Sequence, residues 1–451
     1  MKIEILDVLD CKIPIALAKI IKPCLSYTSV YYKQGPYRKI RQEYEKTVMV
    51  RGDSCYYFQT GLLDRVIKFC KNKNVPVEIV GEVERLIPKT SPYLEGITFR
   101  EEQLRLINKG IENQRGVLIA PTGTGKSIIG LAIVSAFPDN QMLWLCHTKD
   151  LMYQAADFAS KHLKKASIGF IGDGKYEPNT HTFATRQSFI QYVEDKGCDY
   201  DIIIVDEVHH LSTHESQYHE IFRNMPAPVR IGLTATMPSD KKAVLAIEGC
   251  LGPVIGEVTV EEGQKRDIMA AVKIRFIKVP LNYQIKELRK YSDVYDRGVV
   301  YNKEAHKAII NVIKRHVANK ESVLVLVVRI EHGENILSEC RNNGIEAVFA
   351  QGSTEGSVRK QIKDALNSKD IHCVIATTIF SEGVNIPELN VLINAAGGKS
   401  EIRTIQAIGR GLRLTETKKE LIFYDIFNPS HPYLVSHFGE RVCIYSDLGW
   451  L

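Results

Sequence analysis

From about Phe99 onward, short apolar runs alternate with segments whose apolar positions recur at helical spacing. Val117–Ala120, Met142–Cys146 and Ile202–Val205 are unbroken apolar runs followed by turn or polar residues, then by helical patterns such as Ile128–Phe137. Unbroken runs of this length suit strands buried on both faces, as in parallel sheets covered by helices. The rhythm restarts after about Val272. Val323–Val328, Ala347–Phe349, Val374–Ala376 and Val391–Asn394 read as strands, Glu331–Asn343 as a helix, and Ile285–Lys320 as charged and helical in pattern. No repeat in the 20–50-residue range is visible. The pattern predicts an α/β protein with parallel-sheet domains over 91–265 and 266–451, joined near Glu261–Ala271. A small α+β module, residues 1–90, precedes them and is expected to be separable from the rest.

Composition changes this picture little. The 451 residues are 44% hydrophobic and 25% charged, which excludes a disordered or low-complexity chain and allows about three domains. No apolar run reaches the length of a membrane-spanning helix, and the start lacks the basic flank of a signal peptide. Ten cysteines without a CxxC pair suit a reducing compartment, so a cytoplasmic protein is expected, in the host cytoplasm if it comes from a phage.

Charge is more informative. The net +6 conceals 16 Lys/Arg against 11 Asp/Glu in residues 1–98, leaving only +1 for the rest. Within that stretch Lys33, Arg38 and Lys39 interleave with Tyr27, Tyr31, Tyr32, Tyr37 and Tyr44. Cations neutralise phosphates and aromatic faces stack on bases, so a nucleic-acid surface is expected here. The alternative is a tyrosine-rich core with solvated lysines.

Two motifs carry chemistry. Ala120-Pro-Thr-Gly-Thr-Gly-Lys-Ser127 lies between a strand and a helix, the context of a Walker A loop. Its Thr122, Gly123, Thr124 and Gly125 can turn backbone N–H groups toward phosphates at a helix N-terminus; Lys126 can reach the β- and γ-phosphates, and Ser127 can ligate Mg²⁺. Eighty residues on, the apolar strand 202–205 ends in Asp206-Glu207-Val208-His209. Asp206 suits the Mg²⁺ hydration shell, and Glu207 can orient or deprotonate an attacking water.

With these motifs the chain resembles the superfamily 2 helicases and translocases in their DExH form, over about 99–414. The resemblance implies two RecA-like motor domains, ATP and Mg²⁺ as cofactors, and a set of roles. Arg100 and Gln103 would read adenine. Thr148, Thr185, Arg186 and Gln187 would contact a nucleic-acid strand. His209, Thr234, Thr236 and Gln406 would couple the nucleotide site to the strand path. In Thr377–Pro387, Gly383 and Asn385 would lie near the nucleotide, although many relatives carry Asp where this chain has Asn385. In Gln406–Arg413, Arg410 and Arg413 sit at i and i+3 and would meet the γ-phosphate as arginine fingers.

The small leading module, the compact core and Arg329-Ile-Glu-His332-Gly are similar to the phage UvsW-type branch-migration helicases. That likeness implies a monomeric enzyme remodelling forks, D-loops and four-way junctions. An RNA helicase or another duplex translocase is the alternative, and a strand-annealing protein with an inactive motor is the reading from a different class.

Overall fold

The computed structural model describes the chain except residues 35–38, 122, 165, 197–198, 214, 260–261, 263–269, 378–385, 387, 399–417, 419 and 448–449; the side chains of 32–34, 39–40, 194–196, 212–213, 215–216 and 447 are also outside the description. Two compact units emerge, one of residues 1–120 and 125–258, the other of 259–451 with the tetrapeptide 121–124.

The first unit opens with a small module. Its elements are β1 (Lys2–Ile5), β2 (Asp10–Pro14), α1 (Ile15–Ile21), β3 (Ser26–Gln34), β4 (Lys39–Thr47), β5 (Val50–Arg51), β6 (Cys55–Gln59), α2 (Leu63–Asn72) and β7 (Glu78–Val80). Five strands form a sheet in the order β5-β6-β2-β1-β7, while β3 and β4 make a separate antiparallel hairpin. Ile3, Ile13, Leu17, Ile21, Phe58, Leu62 and Val66 pack the module's core, and Leu245, from far along the chain, joins them.

The parallel layer follows: α3 (Glu101–Asn113), β8 (Arg115–Ile119), α4 (Lys126–Ser135), β9 (Met142–Cys146), α5 (Lys149–His162), β10 (Ile168–Gly172), β11 (Lys175–Glu177), β12 (His181–Thr185), α6 (Arg186–Lys196), β13 (Ile202–Asp206), α7 (Glu215–Asn224), β14 (Val229–Thr234), α8 (Lys241–Leu251) and β15 (Val254–Glu257). The strand order is β11-β10-β12-β9-β13-β14-β8-β15. Every pairing is parallel except β10 with β11. β9 and β13 are buried along their whole lengths, which is why 142–146 and 202–205 read as unbroken apolar runs; β14 is equally buried but carries Arg230 within it. The chain order reverses between β9 and β13, so the carboxyl ends of β8, β9, β13 and β14 open a crevice of the kind that binds ligands in doubly wound sheets.

The second unit repeats the plan with β16 (Ala271–Lys278), α9 (Tyr283–Lys286), α10 (Tyr291–Tyr295), α11 (Lys303–Ala318), β17 (Val323–Val327), α12 (Ile330–Asn342), β18 (Val348–Ala350), α13 (Gly356–Ser368), β19 (Cys373–Thr377), β20 (Val391–Asn394), β21 (Glu420–Phe427) and α14 (Pro432–Asp447). All six strands are parallel, ordered β16-β21-β20-β17-β19-β18. The continuous helical pattern expected over 285–320 is broken here. The first break lies between Lys286 and Tyr291; the second follows a π-helical turn over Asp296–Val300, where the Asn302 side chain accepts from Ala305 N–H at 3.1 Å to start a new helix. Among the described residues no helix is long and apolar enough to cross a membrane.

The leading module is not separable in the way its sequence suggests. The Gln59–Gly61 turn lies directly on α8, where a Cβ at Gly61 would overlap the carbonyl oxygens of Glu248 and Gly249. Arg65 forks onto the Glu248 carboxylate at 2.5 and 2.8 Å. Arg115, at the start of β8, donates to the Val8 carbonyl at 2.6 Å, and Lys241 donates to Pro23 at 3.0 Å. Glycine-on-backbone packing, a bidentate ion pair and a shared core residue make the module and the first parallel layer one body.

Candidate active site

At the carboxyl end of β8 the chain enters the phosphate loop. Thr124 folds its hydroxyl onto the Pro121 carbonyl at 2.7 Å, and Gly123 and Gly125 take φ of 96° and 88°, values open to glycine and strained for other residues. Gly125 has a second reason to be glycine, since a Cβ would lie 2.7 Å from Gln103 Nε2. Lys126 is the first residue of α4, with Ser127 beside it, so both stand where the helix dipole favours an anion.

Facing this turn are the residues that end β13. Asp206 is buried, and Glu207 takes φ of 50°, a left-handed conformation costing about 1–2 kcal/mol for a residue with a Cβ. Glu207 N–H donates to Asp206 Oδ1 at 2.9 Å. That geometry turns the Glu207 side chain to Lys126, whose Nζ lies 2.8 Å from Oε1. His209 Nδ1 is 3.4 Å from Glu207 Oε2 and 3.2 Å from Thr234 Oγ1, and Thr234 donates to the Thr236 carbonyl at 2.8 Å. One chain of contacts thus joins the helix N-terminus, the β13 carboxylates and the end of β14.

The charges are unequal. Burial pushes the Asp206 carboxyl up to about 7, the neighbouring Glu207 adds to this, and Lys126 opposes it. Burial would raise Glu207 too, but Lys126 and His209 together hold it below its usual range. Burial lowers His209, which favours the neutral ring against the pull of Glu207. Two carboxylates with pKa values pushed apart beside one lysine can divide the work of holding a cation and handling a proton. A buried carboxylate resisting ionisation gains most from an adjacent dication, so Asp206 and Ser127 fit Mg²⁺ carried by a polyphosphate.

The other expected positions fare variously. Gln103 is buried beside the loop, its Oε1 accepting from Arg100 N–H at 3.0 Å as a helix cap, and Arg100 lies 4.0 Å from Glu102. Thr148 caps α5 by accepting from Leu151 N–H at 3.4 Å, Thr185 donates to Ser188 at 3.1 Å, and Gln187 is exposed. Arg186 departs from expectation. It is not displayed for a strand to touch but is buried near Tyr218, with Nε and Nη1 unpaired, because its place at the start of α6 turns it inward. Thr122, Gly383, Asn385, Gln406, Arg410, Arg413 and Arg38 lie outside the described residues, as do the side chains of Lys33 and Lys39.

One contact has no motif to announce it. His147, just past β9, stacks face to face on His210 with ring centroids 4.0 Å apart and planes 4° apart, and His210 in turn packs on His209 at 4.3 Å. The residue preceding Thr148 is thereby in direct contact with the turn that carries Glu207. Only the doubled His209-His210 after the acidic pair could have drawn attention to it.

Comparison with known proteins agrees with the geometry. Residues 96–239 match the family described as type III restriction enzyme, res subunit, and residues 304–415 match the helicase conserved C-terminal domain. Helicase 22 of Sulfolobus islandicus filamentous virus is 25% identical over 74% of the chain and 65% of its own length. The DNA 3'-5' translocase XPB2 of Sulfurisphaera tokodaii is 26% identical over 76% of the chain and 85% of its own. The ATP-dependent DNA helicase uvsW of Enterobacteria phage T4 is 23% identical over 86% and 85%.

Two solved structures share the fold. Dbp5 of S. cerevisiae bound to RNA and ADP BeF3 has a TM-score of 0.57 at 14% identity, over 78% of this chain and 88% of that one. The type ISP restriction-modification enzyme LlaBIII bound to DNA has 0.58 at 16% identity, over 78% and 30%. Both parallel units are therefore RecA-like. A glycine-turned phosphate loop answered by a buried DExH carboxylate pair, within these family matches, is the arrangement of an ATP-hydrolysing superfamily 2 helicase, and the chain is similar to the UvsW type.

Proposed function

We propose that the protein is a motor that uses ATP and Mg²⁺ to translocate on DNA and remodel branched DNA: forks, D-loops and four-way junctions. The observation that carries the branched substrate is the leading module, with its excess positive charge and long hairpin, locked to the first motor unit by the Gly61–Glu248 packing and the Arg65–Glu248 fork. A substrate-reading element fixed to a motor moves with it, as junction processing requires. The family likeness to uvsW supports the same reading, and the 3'-5' direction in the name of the XPB2 translocase is the polarity we propose.

The chemistry follows from Lys126. In the structure it is held by Glu207, but the β- and γ-phosphates of ATP compete for the same ammonium. As the phosphates draw Lys126 away, Glu207 loses the cation that depresses its pKa and becomes a better base for the attacking water. Bound Mg²⁺ would neutralise phosphate charge, held by Ser127 and Asp206. Glu207 takes the water's proton as the oxygen attacks the γ-phosphorus and the bond to the β–γ bridging oxygen breaks. Gly383 and Asn385 near the nucleotide, Gln406 as a coupler, and Arg410 and Arg413 at the γ-phosphate are the roles we assign to the remaining motifs; loss of an arginine finger costs roughly 10³–10⁵ in rate.

ATP hydrolysis measured with single strands, linear duplex, forks and four-way junctions, as DNA and as RNA, tests the substrate. Strongest stimulation by branched DNA is expected. Stimulation by RNA alone would replace this reading with an RNA helicase.

A further inference from the structure

The β3–β4 hairpin has two chemically opposite faces. Its register runs from Ser26 opposite Thr47 to Gln34 opposite Lys39 without a bulge. Side chains alternate along each strand, so Tyr27, Ser29, Tyr31, Gln42, Tyr44 and Lys46 share one face, and Thr28, Val30, Arg41, Glu43 and Glu45 share the other. On the second face the charges are already neutralised: Glu45 pairs with Lys22 at 2.9 Å and Glu43 with Arg41 at 2.5 Å.

The first face carries no acid. Tyr31 and Tyr44 are 45% and 38% exposed and meet edge to face at 5.4 Å between ring centroids. Lys46 stands 5.2 Å over the Tyr44 ring, and no carboxylate pairs with it among the described residues. The surface does not stop at the hairpin. Lys242, exposed at the start of α8, is close enough to act electrostatically on both Tyr44 and Lys46.

We infer that this face is a stacking platform for an unpaired DNA strand, with bases lying against Tyr31 and Tyr44 and phosphates against Lys46 and Lys242. The inference rests on the nucleic-acid reading of the protein and goes further, assigning the strand form, the residues and the side of the hairpin. Exposed rings beside Lys46, whose ammonium lies over the Tyr44 ring, suit unstacked bases, each of which presents a π-face whatever its identity. A closed duplex offers phosphates but keeps its bases stacked within, so rings on a flat face gain little from it. The opposite face carries Glu43 and Glu45, which repel phosphate, and among its described residues the Arg41 cation is already paired with Glu43. Cross-strand contacts within the tyrosine face, including the Tyr31 hydroxyl donating to Gln42, hold the rings in place before any strand arrives.

Binding by the full-length chain tests this, using fluorescence anisotropy with labelled oligothymidylate and, separately, a blunt duplex of matched length. Tyr31→Ala and Tyr44→Ala are each expected to weaken oligothymidylate binding about 5- to 20-fold while leaving blunt-duplex affinity within about twofold. Tyr44→Phe keeps the ring and is expected to bind like wild type. Lys46→Ala is expected to lower the slope of log affinity against log salt by about 0.7. Thr28→Ala and Glu43→Gln on the opposite face should change nothing, and thermal melting confirms that each variant is folded. Wild-type binding by Tyr31→Ala and Tyr44→Ala, equal losses on duplex, or equal losses from the acidic face would each overturn the assignment. Failure of the motor reading appears elsewhere, as wild-type ATP hydrolysis indifferent to every nucleic acid.

Discussion

At the scale of single residues, Lys126, Asp206 and Glu207 share one small volume. Glu207→Gln keeps the shape and removes the base, so ATP turnover is expected to fall by about 10²-fold or more while nucleotide binding persists; equilibrium binding of a labelled ATP analogue separates the two. Asp206 yields a pH dependence of definite sign. Its pKa is raised in the fold to about 7 against 3.8 ordinarily, so its contribution to stability is present at low pH and is lost as pH rises through about 7. A dication needs the ionised form. Thermal stabilisation by Mg²⁺ with a non-hydrolysable ATP analogue is therefore expected to grow from about pH 6 to about pH 8, and Asp206→Asn should flatten that trend. The residues of this trio were legible in the sequence because the chemistry of phosphate binding fixes both their types and their place after strands. Arg186 was not, since a motif position says nothing about whether a side chain turns inward.

At the scale of elements, strands were easier to read than helices. β9 coincides with its apolar run because burial on both faces leaves no polar position to blur its ends, and β20 matches its expected bounds although it ends on the buried Asn394. The helical pattern over 285–320 was misleading, because it breaks between Lys286 and Tyr291 and again at Asn302, whose side chain caps a new helix. The hairpin was hidden for a different reason: its aromatic and basic residues alternate with a period of two, yet both faces meet solvent, so no apolar side marks the strands. Contacts between elements are the hardest to foresee. The His147–His210 stack joins the ends of β9 and β13, which are neighbours only in the sheet. His147→Ala and His210→Ala are each expected to destabilise the fold, with a double-mutant coupling of about 0.5–1.5 kcal/mol in denaturant melts. Strict additivity would mean that the stack contributes nothing.

At the scale of the whole molecule, the net charge and the leading module acquire a common meaning. The excess positive charge lies in a module seated on α8, so whatever it touches is presented to the motor in a fixed register. The seat also makes the module part of the first unit's stability. Deletion of residues 1–90 would uncover Leu245, a loss of about 2 kcal/mol for that side chain alone, and would leave Glu248 without Arg65. The truncated chain is expected to melt well below the full-length protein in a thermal scan. Gly61→Ala should reproduce part of that loss by forcing the turn off α8. Neither contact was visible in the sequence, because Arg65 and Glu248 are 183 residues apart and carry no motif.

ATP-driven remodelling of branched DNA is read out by following a labelled four-way junction on a native gel with the full-length protein, Mg²⁺ and ATP. The junction is expected to resolve into duplex products with ATP, to stay intact with a non-hydrolysable analogue, and to stay intact with Lys126→Ala although that variant still binds it. Conversion without ATP, or unimpaired conversion by Lys126→Ala, would contradict the account.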